Sequence, residues 1–365
     1  MTTAPLLKIE DLRTYFYSRS KQAFIRSVDG VSLDVGKGET LGIVGESGSG
    51  KSITALSVMG LISGGPGVIS GKIGFKSDRV QKNLLQDLDD YVHIARKDGK
   101  VMDVRKDLEG WQERSERTMA KIRGKEISMI FQNPKQSMNP FEAVGKQITE
   151  AIQLHTSHKE PKEAKERSLY WLDRVKIDSP RLRYDNYPYG LSGGMCQRAM
   201  IAMALSCEPS LLIADEPTTG LDATIQSKIV DLLAELKNEL GVTTMLISHD
   251  ISMIARLADK VAVMYGGRVV EYGPAKKILA PEFESKHPYT AALLASIPSA
   301  ENIRIKGQLQ AIEGDVLDTI NIPPGCRFYP RCGKAERTRD KSANVEPELR
   351  EVSPGHWVRC WLYGE

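Results

Sequence analysis

No stretch constrains this chain more than Gly45-Glu46-Ser47-Gly48-Ser49-Gly50-Lys51-Ser52, which fits the pattern G-x-x-x-x-G-K-[ST] in full. A short apolar run, TLGIVG (40–45), precedes it and reads as a buried strand. The periodic SITALSVMGLI follows and reads as a helix. Strand, glycine-rich loop and helix in that order form the setting in which this pattern cradles phosphate. Glycines let the backbone wrap around phosphate oxygens with its N–H groups inward. The helix that starts near Lys51 aims the positive end of its dipole at the same oxygens. Lys51 is expected to pair with β- and γ-phosphates and Ser52 to hold Mg²⁺, with the loop from Gly45 to Ile53 lining the nucleotide. The alternative is a glycine-rich turn that binds nothing, and the full pattern in its proper setting speaks against it.

A second buried run, LLIADEP (211–217), ends in two acids. At the end of a strand beside a phosphate loop, Asp215 is placed to hold Mg²⁺ through water. Glu216, the next carboxylate, is placed to orient and polarise an attacking water. Pro217 stops the strand. A strand-end acid alone is as often a helix cap; the phosphate loop favours the catalytic reading.

The 365 residues suit two or three compact units. A net charge of +3 makes no electrostatic case for nucleic acid. The apolar runs fall well short of the roughly 20 residues that cross a bilayer. MTTAPLLKIEDL lacks the basic and apolar regions of a signal peptide, which points to a cytosolic chain with peripheral membrane contact at most. Five cysteines in such a chain argue against a disulfide framework.

Residues 7–12 and 27–35 read as strands separated by SRSKQA. Residues 76–124 form a densely charged insertion, either a partner-binding element or a solvated excursion. Within it YVHIARKDGKVMDV reads as a hairpin around Asp98-Gly99 and LEGWQERSERTMAKI as a helix. Residues 143–205 look helical, broken at Ser179-Pro180. SLLIAD and TTMLIS are buried strands, each followed by loop and helix, and KVAVMYGGRVVEYG is a hairpin. Alternating strands and helices predict an α/β fold with a mainly parallel sheet.

Ser192, Gly193 and Gly194 open a further helix in LSGGMCQRAMIAMAL (191–205). One chain has little use for a second exposed helix start so far from the first, unless it serves a neighbour's nucleotide. With LLIADEPTTGLDAT following, the sequence resembles the ATP-binding subunit of ABC transporters, over essentially the whole chain outside the insertion. The resemblance implies a P-loop NTPase fold: a RecA-like core with an antiparallel β subdomain, a helical subdomain at 143–205 and a C-terminal extension. It divides the chain into a nucleotide-binding domain (1–275) and an extension (276–365). It implies two subunits that sandwich two ATPs. Ser192, Gly193 and Gly194 would then touch the γ-phosphate held by the partner, and Asp222 in TTGLDAT would signal between the sites. His249 in MLISHD would contact the γ-phosphate and position water with Glu216. Gln132 in MIFQNP would sense Mg²⁺ and the γ-phosphate beside the groove for a membrane subunit. Taken singly, such a His or Gln is an ordinary solvated or packed side chain; order and spacing carry the roles. For the aromatic that stacks on adenine, LRTYFYS offers Tyr15, Phe16 and Tyr17. Alternation puts Tyr15 and Tyr17 on one face and Phe16 on the other. The resemblance favours Phe16, with a core strand aromatic as the alternative.

GIVGESGSGKS, KIRGKEISMIFQNP, IADEPTTGLDAT and HPYTAALLASIP (287–298) together look like the dipeptide/oligopeptide importer branch. That implies an ATPase on the cytoplasmic face of the membrane, with two membrane permease subunits and an external solute-binding protein. Met195 after LSGG resembles one of two ATPase types, implying a heterodimer with a second ABC ATPase. Relatives move oligosaccharides, opines or nickel chelates, and a soluble non-transport ABC ATPase or an exporter ATPase is a further alternative. Cys196 departs from the branch, which usually has Arg there. The tail of this branch often carries C-x5-C-x6-C and a distant cysteine, which in some relatives holds a [4Fe–4S] cluster. Cys326, Cys332 and Cys360 match three of the four, and Arg339 falls at the third place. His356 is a candidate substitute ligand, and a packed structural tail is the other reading.

Overall fold

Strand β1 (Leu7–Ser18) and strand β2 (Ala23–Val35) run much further than the segments 7–12 and 27–35 predict. Aromatic residues extend them: Phe16 pairs with Ile25 and Tyr17 with Phe24, so only Ser18 and Ala23 of SRSKQA join the strands and residues 19–22 form the turn. The computed structural model describes residues 4–97, 100–280, 286–296 and 312–363. They fall into two compact units, the first Met1–Val35, Thr40–Glu116 and Ser248–Glu365, the second Gly36–Glu39 and Arg117–Ile247.

After β2 the first unit continues with β3 (Thr40–Val44) and α1 (Lys51–Met59). Every residue of β3 is buried, as its unbroken apolar run requires. Helix α1 stops at Met59 because Gly60 adopts a left-handed cap. Next come β4 (Pro66–Lys76) and β5 (Gln81–Asn83), which complete an antiparallel sheet in the order β2-β1-β4-β5. The charged insertion folds as a hairpin of β6 (Val92–Lys97) and β7 (Lys100–Lys106), then α2 (Leu108–Met119). The turn residues Asp98 and Gly99 lie outside the described residues. The hairpin is solvated on one side only. Val92, Ile94, Val101 and Val104 pack on Tyr15 and Ile69 of the β1/β4 sheet. Lys106 ties it down by donating to the Val68 carbonyl at 2.7 Å, with its ammonium 3.5 Å over the Trp111 ring.

The second unit is built on three parallel strands, β8 (Ile127–Ile130), β9 (Leu211–Asp215) and β10 (Thr243–Ile247), with β9 in the middle. Between β8 and β9 lie α3 (Pro134–Ser137), α4 (Val144–His155), α5 (Pro161–Arg174), α6 (Pro180–Tyr184) and α7 (Gly193–Leu205). Helix α5 buries Ala164, Ser168, Trp171 and Leu172, one stripe at helical spacing, and packs on α4 and α7. Pro180 opens α6 after Ser179, at the break read in the sequence. Helix α8 (Ala223–Leu240) connects β9 to β10.

The chain then returns to the first unit with α9 (Ile251–Leu257), β11 (Lys260–Tyr265) and β12 (Arg268–Pro274). Strand β11 lies parallel to β3 and antiparallel to β12. Two short helices, α10 (Ala275–Ile278) and α11 (Pro288–Ala295), open the C-terminal extension. Its strands β13 (Arg350–Ser353) and β14 (His356–Val358) continue the sheet, β14 pairing with β12. A buried carboxylate links this extension to the N-terminal strands. Asp29 accepts from Tyr15 at 2.5 Å, Arg13 at 2.7 Å and Arg327 at 2.5 Å. Burial alone would raise its pKa; Arg327, Tyr15 and Arg268 outweigh burial and hold it at about 2. No helix among the described residues is long and apolar enough to cross a membrane.

Candidate functional site

In the first unit the chain leaves β3 and turns sharply at Gly45 (φ +152°), where a Cβ would lie 2.2 Å from the Met264 carbonyl oxygen. At Gly50 (φ +102°) a Cβ would lie 2.3 Å from the Ser27 carbonyl oxygen. Only glycine fits either place. The loop from Glu46 to Ser49 is pinned by the Ser49 carbonyl, which accepts from Gly267 N–H at 3.0 Å. Lys51 is buried, and its ammonium donates to the carbonyls of Gly45 (2.8 Å) and Glu46 (3.0 Å), at the centre of the loop. Helix α1 starts there with no acidic residue in its first turn and no side-chain cap, so the positive end of its dipole favours an anion at the loop. A Cβ at Gly48 would meet nothing within 4 Å, so the mouth of the loop is open. These residues fit a polyphosphate, with Ser52 and Ile53 following Lys51 on α1. The Glu46 side chain turns away from this mouth to Arg331, which bonds it with two nitrogens at 2.7 and 3.1 Å.

Two further predicted residues belong to this unit. His249 is exposed, one residue before Asp250, which caps α9 by accepting from the N–H groups of Ser252 and Met253. Ser248 N–H donates to the Ile43 carbonyl at 3.2 Å, so the histidine stands beside the end of β3, where the phosphate loop begins. Phe16 is half-buried, near Gly64 just after α1. Tyr15 is in the core, committed to Asp29, while Tyr17 is half-exposed against Phe24. Both tyrosines pack on Phe24, so the predicted alternation holds despite a register shift between Thr14 and Phe16.

In the second unit the ends of two adjacent parallel strands meet. Gln132 follows β8 and Glu216 follows β9, and Gln132 Nε2 donates to Glu216 Oε2 at 2.9 Å. Thr219 Oγ1 donates to the same oxygen at 2.8 Å. Glu216 holds a left-handed backbone (φ 47°), rare for a side chain of this kind, and its N–H donates to the Ile247 carbonyl at 2.8 Å. Asp215, one residue earlier, is buried at the strand end. Thr219 was missed in the sequence reading, although it lies inside the quoted TTGLDAT.

The signature segment lies in the same unit. Ser192 Oγ caps α7 by accepting from Met195 N–H at 3.3 Å, and Asp222 caps α8 by accepting from Ile225 N–H at 3.0 Å. A Cβ on Gly194 would lie 2.8 Å from Ile225 and one on Gly193 3.3 Å from Leu221, so both glycines let the starts of α7 and α8 come together. Cys196 is fully buried and its thiol points at the Pro188 carbonyl at 3.2 Å. Burial pushes that thiol up, and the side chain is packed inside the unit.

In the tail, Cys326, Cys332 and Cys360 do converge. They line one cavity with His287, Phe328 and Trp361. The cavity measures about 10 Å³, the space of one water at most. Burial pushes all three thiols up, Cys360 to about 11. His356 is no substitute ligand, because it does not line this cavity; its Nε2 is paired with the buried Glu271 at 2.8 Å. His287 Nδ1 accepts from Tyr289 N–H to cap α11. Among the described residues no group of three or more Cys, His, Asp or Glu is arranged to hold a metal. The residues present do not fit a [4Fe–4S] cluster.

Comparison with known proteins adds independent findings. Residues 28–219 match the ABC transporter family model, and residues 270–338 match that of the oligopeptide/dipeptide transporter C-terminal region. The chain is 42% identical to the oligopeptide transport ATP-binding protein AppD of Bacillus subtilis, over 99% of this chain and 97% of that protein. It is 41% identical to the probable peptide ABC transporter ATP-binding protein y4tR of Sinorhizobium fredii, over 99% and 96%. Among solved structures it shares its fold with the dimeric ATP-binding cassette MJ0796 in a post-hydrolysis state with ADP and Pi bound. The TM-score is 0.57 at 24% identity, over 74% of this chain and 98% of that one. The fold is the ABC ATPase cassette that the sequence resemblance implied.

Proposed function

The chain belongs to the ABC transporter family as an ATP-binding cassette, and from that premise we propose that it hydrolyses ATP to power peptide uptake across a membrane. The observation that carries the nucleotide reading is the phosphate loop, with Lys51 at its centre and the uncapped start of α1 behind it. In this reading the loop N–H groups and Lys51 bind the phosphates, and Phe16 stacks on the adenine. Ser52, Asp215 and Gln132 would hold Mg²⁺, which supplies charge neutralisation at the phosphates. Glu216, oriented by Gln132 and Thr219, positions the attacking water, with His249 at the γ-phosphate. Ser192, Gly193 and Gly194 serve the partner's ATP, and Asp222 signals between the two sites. Catalysis is then mainly positioning and charge neutralisation.

The matched tail region and the peptide-transport names of the relatives support the importer branch. We place the chain at the cytoplasmic face, paired with a second ATPase subunit, on two permease subunits fed by a solute-binding protein. Proteoliposomes carrying the full assembly test the reading. Labelled oligopeptide should accumulate with ATP and not with a non-hydrolysable analogue. Uptake of a nickel chelate or an oligosaccharide in place of peptide would keep the motor and move the cargo; no ATP-driven uptake would overturn the proposal.

A further inference from the structure

Glu46 puts a negative charge inside a loop whose ligand is a polyanion. Left alone, that carboxylate would oppose binding, most of all in a partly buried setting where screening is weak. The structure supplies its partner from 285 residues away. Arg331 Nη1 donates to Glu46 Oε2 at 2.7 Å and Nη2 to Oε1 at 3.1 Å, a two-pronged pair. The Arg331 side chain is only 5% exposed and that of Glu46 22%, so the pair is shielded from salt and solvent.

Arg331 is itself fixed. Its Nε donates to the Glu313 carbonyl at 2.9 Å, Nη2 to the Ile312 carbonyl at 3.3 Å, and Nη1 to Tyr265 Oη at 3.4 Å. A second contact grips the same residue through its backbone: Glu46 N–H donates to Tyr289 Oη at 2.8 Å. Tyr289, Tyr265 and Phe328 pack as one aromatic cluster, with ring centroids 4.7 to 5.4 Å apart. Two separate stretches of the extension, α11 and the segment around Arg331, therefore meet at one residue of the phosphate loop.

We infer that Arg331 is a positioning residue of the phosphate loop: it neutralises Glu46 and draws its carboxylate aside, so that the C-terminal extension sets the affinity for ATP. The inference rests on the reading of residues 45–52 as the phosphate site. It also makes the extension a point of control. Whatever shifts the Arg331 segment changes ATP affinity, and ATP acts back on that segment by the same factor.

The test is ATP binding to the purified full chain, followed with a fluorescent ATP analogue at low and high salt. Arg331→Ala should weaken binding about tenfold at low salt, as loss of one partner of a shielded charge pair does. Adding Glu46→Gln to that variant should restore the affinity, because the unpaired carboxylate and not the lost arginine is the cause. A purely structural arginine would show no such rescue. Because the site is shielded, the penalty should change little as salt rises. In the assembled transporter KM for ATP should rise with kcat little changed. Should Arg331→Ala not fold, Arg331→Gln and Arg331→Lys carry the same test, the neutral variant losing affinity and the charged one keeping it. Wild-type affinity in the neutral variant, or a loss that Glu46→Gln leaves in place, overturns the inference. Lys51→Ala separates this from the underlying reading: if it binds ATP normally, the phosphate-site assignment itself fails.

Discussion

At Gly45–Ser52 the backbone is the binding device; at Cys326, Cys332 and Cys360 the side chains face a cavity that their own neighbours almost fill. Both segments carry chemistry-bearing residues at telling intervals, and both bring those residues together in space. They differ in what surrounds them. The phosphate loop is open at Gly48, has an uncapped helix start behind it and holds a buried ammonium at its centre. The cysteine pocket is walled by Phe328, Trp361 and His287, and it has room for one water at most. Convergence alone does not make a site; room and a matching charge are needed as well. The tail acts on the nucleotide site through Arg331 and Tyr289, the neighbours of the cysteines, and not through the cysteines.

This contrast can be attacked from the tail. The larger effect belongs to His287, which lines the cysteine cavity and caps the helix that carries Tyr289. Burial holds its pKa down at about 3, so the folded state keeps it neutral while the unfolded chain protonates it below about 6.5. The folded protein then binds fewer protons across that range, and stability must fall as pH drops from about 6.5 toward 3. The slope from this group approaches about 1.4 kcal/mol per pH unit. Denaturant unfolding at several pH values should show it, and His287→Asn, which keeps a capping acceptor, should flatten it. An unchanged slope would mean that His287 titrates freely. Asp29, held at about 2, adds its own loss at the acid end, as pH falls below about 3.8.

The smallest effect should come from the thiols. Replacing Cys326, Cys332 and Cys360 by serine should cost on the order of 1 kcal/mol of stability each and leave ATP affinity unaltered. Anaerobically purified protein should contain neither iron nor sulfide. Stoichiometric iron and sulfide would erase the difference between the two regions.

The features legible in the sequence were those set by neighbours along the chain. The phosphate loop, the β9 acids and the helix starts at Ser192 and Asp222 are local patterns, and local backbone geometry carries them. Strand β1 was less legible, because its length depends on pairing with β2 rather than on its own apolar run. The Glu46–Arg331 pair left no local trace, since its partners are 285 residues apart and the sequence shows Glu46 only as a member of the phosphate loop. His356 shows the same limit. Its spacing to Cys360 suggests a ligand, while the fold sets it outside the cysteine cavity, with Nε2 on Glu271, 85 residues earlier. Spacing reports which residues are near one another, not which are already engaged.

The central claim is that this chain hydrolyses ATP with Glu216 as the residue that positions water. Glu216→Gln in the assembled transporter, with ATP binding and turnover measured on the same preparation, tests it most directly. Turnover should fall by at least about a hundredfold, the usual worth of a general base, while ATP affinity stays near that of the unmodified protein. Turnover at the normal rate, or loss of ATP binding together with turnover, would contradict it.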